Sequence, residues 1–358
     1  MRIAYSNRVR SLSLVTAIVL ALTSAGCAGP GPASGGTDGP FGAAGSAGRE
    51  LAASDPAHQR AERVLQVSSV HEETGMTLLE GPTFGTDGRL YLVDVTAPPN
   101  GPKVMAVDLD ARHVRTVYTD AVGAYTSAQF GPIDGRLYLT DYAGGRIVSV
   151  TARGNDPRTV AEGRIKGRSM RPDDLAFDPA GNMFVTDSAY TTYPDAEPSG
   201  RVLRFDQVTG RASVLAANQP NPNGISFDLD GGALWVSQLD ANRIDRLVLS
   251  PDGKTVTAGH TGMYIDGGTA QTDSNAVDAE GNVYQGMHGE PRVLVHGPDG
   301  RHRATITIPT EHEGLESATN IAIRPGTTDA YVTVSGPAGG FVYRFDAVAE
   351  GVRQSNGG

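Results

Sequence analysis

The sequence predicts an all-β fold, a six-bladed β-propeller with four-stranded blades. Three observations carry that prediction. A turn coupled to a short strand recurs as "DGRLYLVD" from 87, "DGRLYLTD" from 134, "AGNMFVTD" from 180, "GGALWVSQ" from 231, "EGNVYQGM" from 280 and "TTDAYVTV" from 327. The spacings are 47, 46, 51, 49 and 47 residues, which suits one four-stranded blade per repeat. A further alternating segment follows each, as in "KVMAVDLD" at 103 and "FVYRFDAV" at 341. Alternation with period two is strand behaviour, and Asp-Gly or Gly-Asn at the joints suits hairpin turns. Finally, 46 glycines among 358 residues favour short strands and tight turns over long helices. No repeat shows a 3.6-residue period, so a helical repeat is excluded.

From the N-terminus, residues 1–26 predict a signal peptide. Arg2, Arg8 and Arg10 form a basic start, and "SLSLVTAIVLAL" an apolar core too short to span a membrane. Cys27, the only cysteine, follows Ala25 and Gly26 and resembles a bacterial lipoprotein processing site, although Ser24 stands where Leu is usual. Lipidation at Cys27 is therefore expected, with export and a lipid anchor on the outer face of the bacterial cytoplasmic membrane. Plain secretion is the alternative. Residues 27–55 read as the lipidated cysteine and a Gly/Pro/Ser tether. The propeller spans 56–350, with 49–68 as a lead-in helix or part of the closure, and 351–358 form a tail. Cleaving residues 1–26 removes three arginines and no acid, which takes the formal net charge from −10 to −13. Such a balance argues against nonspecific nucleic-acid binding.

One more strand must precede each turn, and in a propeller it lines the central channel. Counting back eleven residues from each repeat's aromatic, with one more in the fourth repeat for its extra glycine, gives Glu80, Ser127, Asp173, Asn223, Asp273 and Asn320. Each carries a side-chain oxygen. A ring of carboxylates and amides is costly unless its charge is compensated. A hard divalent cation does that, Ca²⁺ first, with Mg²⁺, Zn²⁺ or Mn²⁺ as alternatives. Asp, Asn and Ser also cap turns, which is the simpler explanation of the same pattern.

The segments "EGPTFGTDGRLYLVD" (80–94), "RPDDLAFDPAGNMFVTD" (171–187), "NPNGISFDLDGGALWVS" (221–237) and "TDSNAVDAEGNVYQGMHGEPRVLVHGPDG" (272–300) resemble the SMP-30/gluconolactonase family, over about residues 70–346. The resemblance implies a six-bladed propeller with a divalent metal in its channel and hydrolysis of lactones. It implies metal ligation by Glu80, Asn223, Asp273 and Ser274, with Asp173 near metal and substrate. Asp273, or else Asp173, would transfer the proton, and Asp174 would face away and fix backbone. The loop 188–200 replaces a region that shapes the substrate pocket in relatives. His288 and His312 read as exposed loop histidines. No GxSxG or HExxH motif occurs, so neither a serine esterase elbow nor a zincin helix is indicated. A non-enzymatic propeller that binds a ligand or protein, with a structural metal, is the alternative to a lactone hydrolase.

Overall fold

The structure, a computed structural model, describes residues 55–188, 198–309 and 314–353. The chain divides into two units, 1–55 and 56–358, and every strand of the described residues lies in the second. The leader, Cys27, the tether up to residue 54, most of the 188–200 loop, His312 and residues 354–358 lie outside the described residues.

Each repeat builds an antiparallel sheet in simple sequence order. The first comprises Leu79–Phe84, Leu90–Asp94, Val104–Asp108 and His113–Tyr118. The second comprises Tyr125–Phe130, Leu137–Asp141, Arg146–Val150 and Arg158–Glu162. The third runs from Pro172–Phe177 through Met183–Asp187 and Gly200–Phe205 to Ala212–Gln219. Pro222–Phe227, Ala233–Gln238, Arg243–Leu249 and Val256–Tyr264 make the fourth. The last two repeats share a nine-stranded sheet, bridged by one pairing between Met287 and Ala318. Its fifth-repeat part holds Gln271–Val277, Val283–His288, Arg292–His296 and His302–Thr307. Its sixth-repeat part holds Ser317–Ile323, Asp329–Gly336 and Gly339–Asp346. The fold is thus all-β and propeller-like.

From residue 55 on, the lead-in is strand and not helix. Glu62–Ser68 pairs antiparallel with Gly339–Asp346 and supplies the sixth repeat's outer strand. Ala57–Arg60 runs parallel beside His302–Thr307. The segment has no helical apolar stripe and offers Val64, Leu65 and Val67 to the first repeat's core, which decides for a strand. A short 3₁₀ turn at Leu239–Ala241 is the only helix among the described residues.

The first strands contact one another in cyclic order, from first repeat to sixth and back to first. They are almost wholly buried, while outer strands such as Arg158–Glu162 are largely exposed. The apolar side chains form six clusters among the described residues, each between neighbouring repeats. This explains the recurrent aromatic. Tyr91 packs edge-on against Phe130 of the second repeat at 5.0 Å, Tyr138 against Phe177 of the third at 5.0 Å, and Phe184 against Phe227 of the fourth at 5.0 Å. Tyr331 of the sixth meets Phe84 of the first at 5.7 Å. The aromatic is an inter-sheet wedge that buries roughly 150–250 Å² per side chain.

Candidate functional site

Near its start, each first strand carries a β-bulge. In the third repeat Pro172 pairs with Asp187 and Leu175 with Val185, so Asp173 and Asp174 together face one residue. The fourth repeat places Asn223 and Gly224 there, and the fifth places Asp273 and Ser274. A bulge re-aims two successive side chains. In the third and fifth repeats it therefore sets two oxygen-bearing side chains where an unbroken strand would present one.

Register corrects two of the six positions counted from sequence. The turns of the first, third and fifth repeats close over four residues, as in Gly85 N to Arg89 O. Those of the second, fourth and sixth close over five, as in Gly131 N to Arg136 O and Arg324 N to Asp329 O. Eleven residues back therefore stops one short in the second and sixth repeats. The residues facing Tyr138 and Tyr331 are Gln129 and Ala322. Three residues earlier stand Thr126 and Thr319, the counterparts of Glu80, Asp173, Asn223 and Asp273. Ser127 is instead turned away and fully buried, its Oγ donating to Asp174 Oδ1 at 2.6 Å. Asn320 occupies the equivalent of Asp174, and both accept the next residue's amide through Oδ1 at 2.8 Å.

The two threonines spend their hydroxyls between strands. Thr126 Oγ1 donates to Asp173 O at 2.8 Å, and Thr319 Oγ1 to Leu79 O at 2.7 Å. The remaining four gather oxygen. Asn223 Nδ2 stands 3.4 Å from Asp173 Oδ2, and Ser274 Oγ 3.4 Å from Asn223 Oδ1. Ser188 Oγ donates to Asp173 Oδ2 at 2.8 Å. Gly81 and Gly224 follow Glu80 and Asn223 for a steric reason. A Cβ on Gly81 would lie 2.5 Å from Ala128 N, and one on Gly224 2.6 Å from Asn275 N. Both allow first strands to approach closely, and Gly81 has φ +55°.

The charge is poorly compensated. Burial pushes the Glu80 and Asp273 carboxyls well above the ordinary carboxylate range, and the nearby Asp173 and Asp174 push both further. Burial raises Asp173 to about 6, against a hydrogen bond from Ser188 and the Arg171 charge. Burial raises Asp174 to about 7, opposed by its bonds to Ser127 and Leu175. His288 is not an exposed loop residue. It ends the strand beside Gln271–Val277, is mostly buried, and holds Nδ1 3.7 Å from Asp273 Oδ2. Burial lowers its pKa. Sequence reading missed its place because nothing in "GMHGE" reveals that one strand's end lies over the next strand's bulge.

Among the described residues, no three of His, Cys, Asp and Glu stand close enough to hold a metal ion by themselves. The donors assembled here are mixed: carboxylate, amide and hydroxyl oxygens. That donor chemistry suits a hard cation and, without sulfur or imidazole in the set, suits softer metals less.

A family model described as the SMP-30/gluconolactonase/LRE-like region matches residues 78–336. Lactonase drp35 of Staphylococcus aureus (strain MRSA252) is 28% identical over 283 residues, 76% of this chain and 84% of that protein. Among solved structures, the calcium-binding protein regucalcin of Agrobacterium tumefaciens superposes with a TM-score of 0.65 at 17% identity, covering 83% of this chain and 98% of that one. A gluconolactonase from Xanthomonas campestris superposes with a TM-score of 0.63 at 18% identity, covering 81% and 98%. At these identities, the two structures speak for the fold alone.

Proposed function

The chain belongs to the SMP-30/gluconolactonase/LRE-like family, and from that premise we propose that it is a closed six-bladed propeller that opens lactone rings with a divalent cation, Ca²⁺ first, in its channel. The observation that carries this reading is the meeting of Asn223 with Asp173 on one side and Ser274 on the other, beside buried Glu80 and Asp273. Glu80, Asn223, Asp273 and Ser274 would hold the cation, with Asp173 at its edge. Bound there, the cation would supply carbonyl polarisation and stabilisation of the developing oxyanion.

The chain's own residues do the rest. Asp273 Oδ accepts the proton of the attacking water and returns it to the leaving alkoxide, with Asp173 as the second choice. Two effects on Asp273 oppose each other. Burial and neighbouring acids raise its proton affinity, and positive charge at its oxygens lowers it. A carboxylate so lowered would be a weak base, which suits an activated ester such as a lactone. Asn223 separates Asp173 from Ser274 and orients both. His288 Nδ1, 3.7 Å from Asp273 Oδ2, would help to orient that carboxylate.

A second reading rests on the near-complete burial of Glu80 and Asp273, which suits a structural ion as well as a catalytic one. It is a non-enzymatic extracytoplasmic propeller with a structural metal. Turnover separates the two. The purified protein is expected to hydrolyse dihydrocoumarin or gluconolactone, to lose that activity to a chelator, and to regain it with Ca²⁺. Activity that survives both chelation and Asp273→Ala would overturn the mechanism, and a panel without turnover would favour the binding reading. The lipid anchor at Cys27 and the export route stand as proposals of the sequence. Globomycin-sensitive processing and membrane fractionation test them.

A further inference from the structure

Far from the carboxylates, a cavity of about 880 Å³ is lined by Arg89, Arg115, Arg153, Arg324 and Arg353 against a single acid, Asp87. The chain as a whole carries a net charge of −10, so this concentration of guanidinium groups runs against its average. The wall comes from three repeats: the first-strand ends Thr83–Phe84, Phe130 and Ala322–Ile323, with the turns beyond them. The candidate site uses the start of the first of those strands, at Glu80. Four residues separate Glu80 from Phe84, roughly 13 Å at strand rise, so the two sites lie toward opposite ends.

The single acid is already engaged. Asp87 Oδ2 pairs with Arg89 Nη1 at 2.9 Å and accepts from Tyr91 Oη at 3.0 Å. Among the described residues, Arg115, Arg153, Arg324 and Arg353 have no carboxylate partner. Arg324 is stacked over the Phe84 ring at 5.2 Å and the Tyr331 ring at 6.0 Å, and its buried Nε has no hydrogen-bond acceptor. An arginine held by aromatic faces, with its fork unspent, is prepared for a planar or tetrahedral oxyanion. Like charges sharing one concavity also raise the local concentration of anions.

We propose that this cavity binds a small phosphate monoester whose apolar body lies against the Phe84 and Phe130 wall. The guanidinium groups of Arg115 and Arg324 would grip the phosphate, and Arg153 and Arg353 would close the rim. The proposal is independent of lactone chemistry.

Calorimetry of the purified protein with phenyl phosphate, chelator present and salt at ~50 mM, tests it. One-to-one binding is expected, weakened tenfold or more by Arg115→Ala combined with Arg324→Ala. It should be unchanged within twofold by Arg211→Ala, an exposed arginine of another repeat, and by Asp273→Ala. Should the Arg324 variant fail to fold, Arg115→Ala combined with Arg153→Ala, both at exposed positions, must show the same loss. Phenol should not bind. Absence of phenyl phosphate binding, or an equal loss with Arg211→Ala, overturns the proposal. So does association with phosphatidylglycerol vesicles without binding of phenyl phosphate, which would make the cavity a headgroup contact.

Discussion

The side-chain amide of Asn223 stands 3.4 Å from a carboxylate oxygen of Asp173, across the boundary between two neighbouring sheets. The same amide group meets Ser274 Oγ at 3.4 Å across the next boundary. One neutral residue thus links oxygens from three first strands. Asn223→Ala is expected to weaken Ca²⁺ binding about tenfold or more, by loss of a donor and of the spacing it imposes. Titration calorimetry reads this directly, and unchanged affinity would remove Asn223 from the ligand set.

The buried acids predict an unusual pH response. Their carboxyls are raised in the folded state, to about 6 for Asp173 and about 7 for Asp174. The folded chain therefore holds more protons than the unfolded one between about pH 4 and 7. Stability from these groups is present at the acidic end and lost as the pH rises through that window. In chelator, the Tm should fall from pH 4.5 to pH 7, other groups aside. Saturating Ca²⁺ should flatten or reverse the trend. A metal-free Tm that climbs with pH, unaffected by Asp173→Asn and Asp174→Asn, would contradict it.

Asp174 is buried, accepts from Ser127 and Leu175 through Oδ1, and has an unpartnered Oδ2. Asp174→Ala should cost about 2 kcal/mol, since it orphans two donors. Asp174→Asn removes the buried charge and should be near neutral at pH 7. Urea unfolding of both variants gives the ordering, and an Asn variant worse than Ala would exclude this account.

Gly81 tolerates no side chain. Gly81→Ala should destabilise by about 3 kcal/mol, from overpacking onto Ala128 added to its left-handed backbone. Gly88 also has positive φ but faces open space, so Gly88→Ala should cost only about 1 kcal/mol. Equal losses would mean that conformation alone, and no close approach of strands, sets the requirement.

His288 is expected to matter through Asp273. His288→Gln should lower kcat about tenfold with KM and Ca²⁺ affinity within twofold. A change in KM alone would instead place His288 against the substrate.

Strand alternation and the recurrent aromatic were legible in the sequence because each is local, and the aromatic's partner on the next sheet follows from the repeat itself. The site was legible where turns have equal length: Glu80, Asp173 and Asp273 share one offset and the four-residue turn. It was misjudged at Ser127 and Asn320 because "GPIDGR" and "RPGTTD" each carry one residue more. A single inserted residue changes the face that a strand residue presents. His288 could not be found by counting at all, since its approach to Asp273 depends on the bulge that shifts register between them.

The strand Glu62–Ser68 completes the sixth repeat from the far end of the chain. The backbone amide of Leu79 likewise rests on Ser335 Oγ, 256 residues away. Such closure couples the order of synthesis to the order of folding. Five sheets can form as the chain emerges, yet the first repeat keeps a bare apolar flank, Leu90, Leu92 and Val107, until the last strands arrive. That interval is a window of exposure to proteolysis and misassociation. A truncation that removes only Gly339–Asp346 would lengthen the window indefinitely, leaving Glu62–Ser68 without the edge it is built to join.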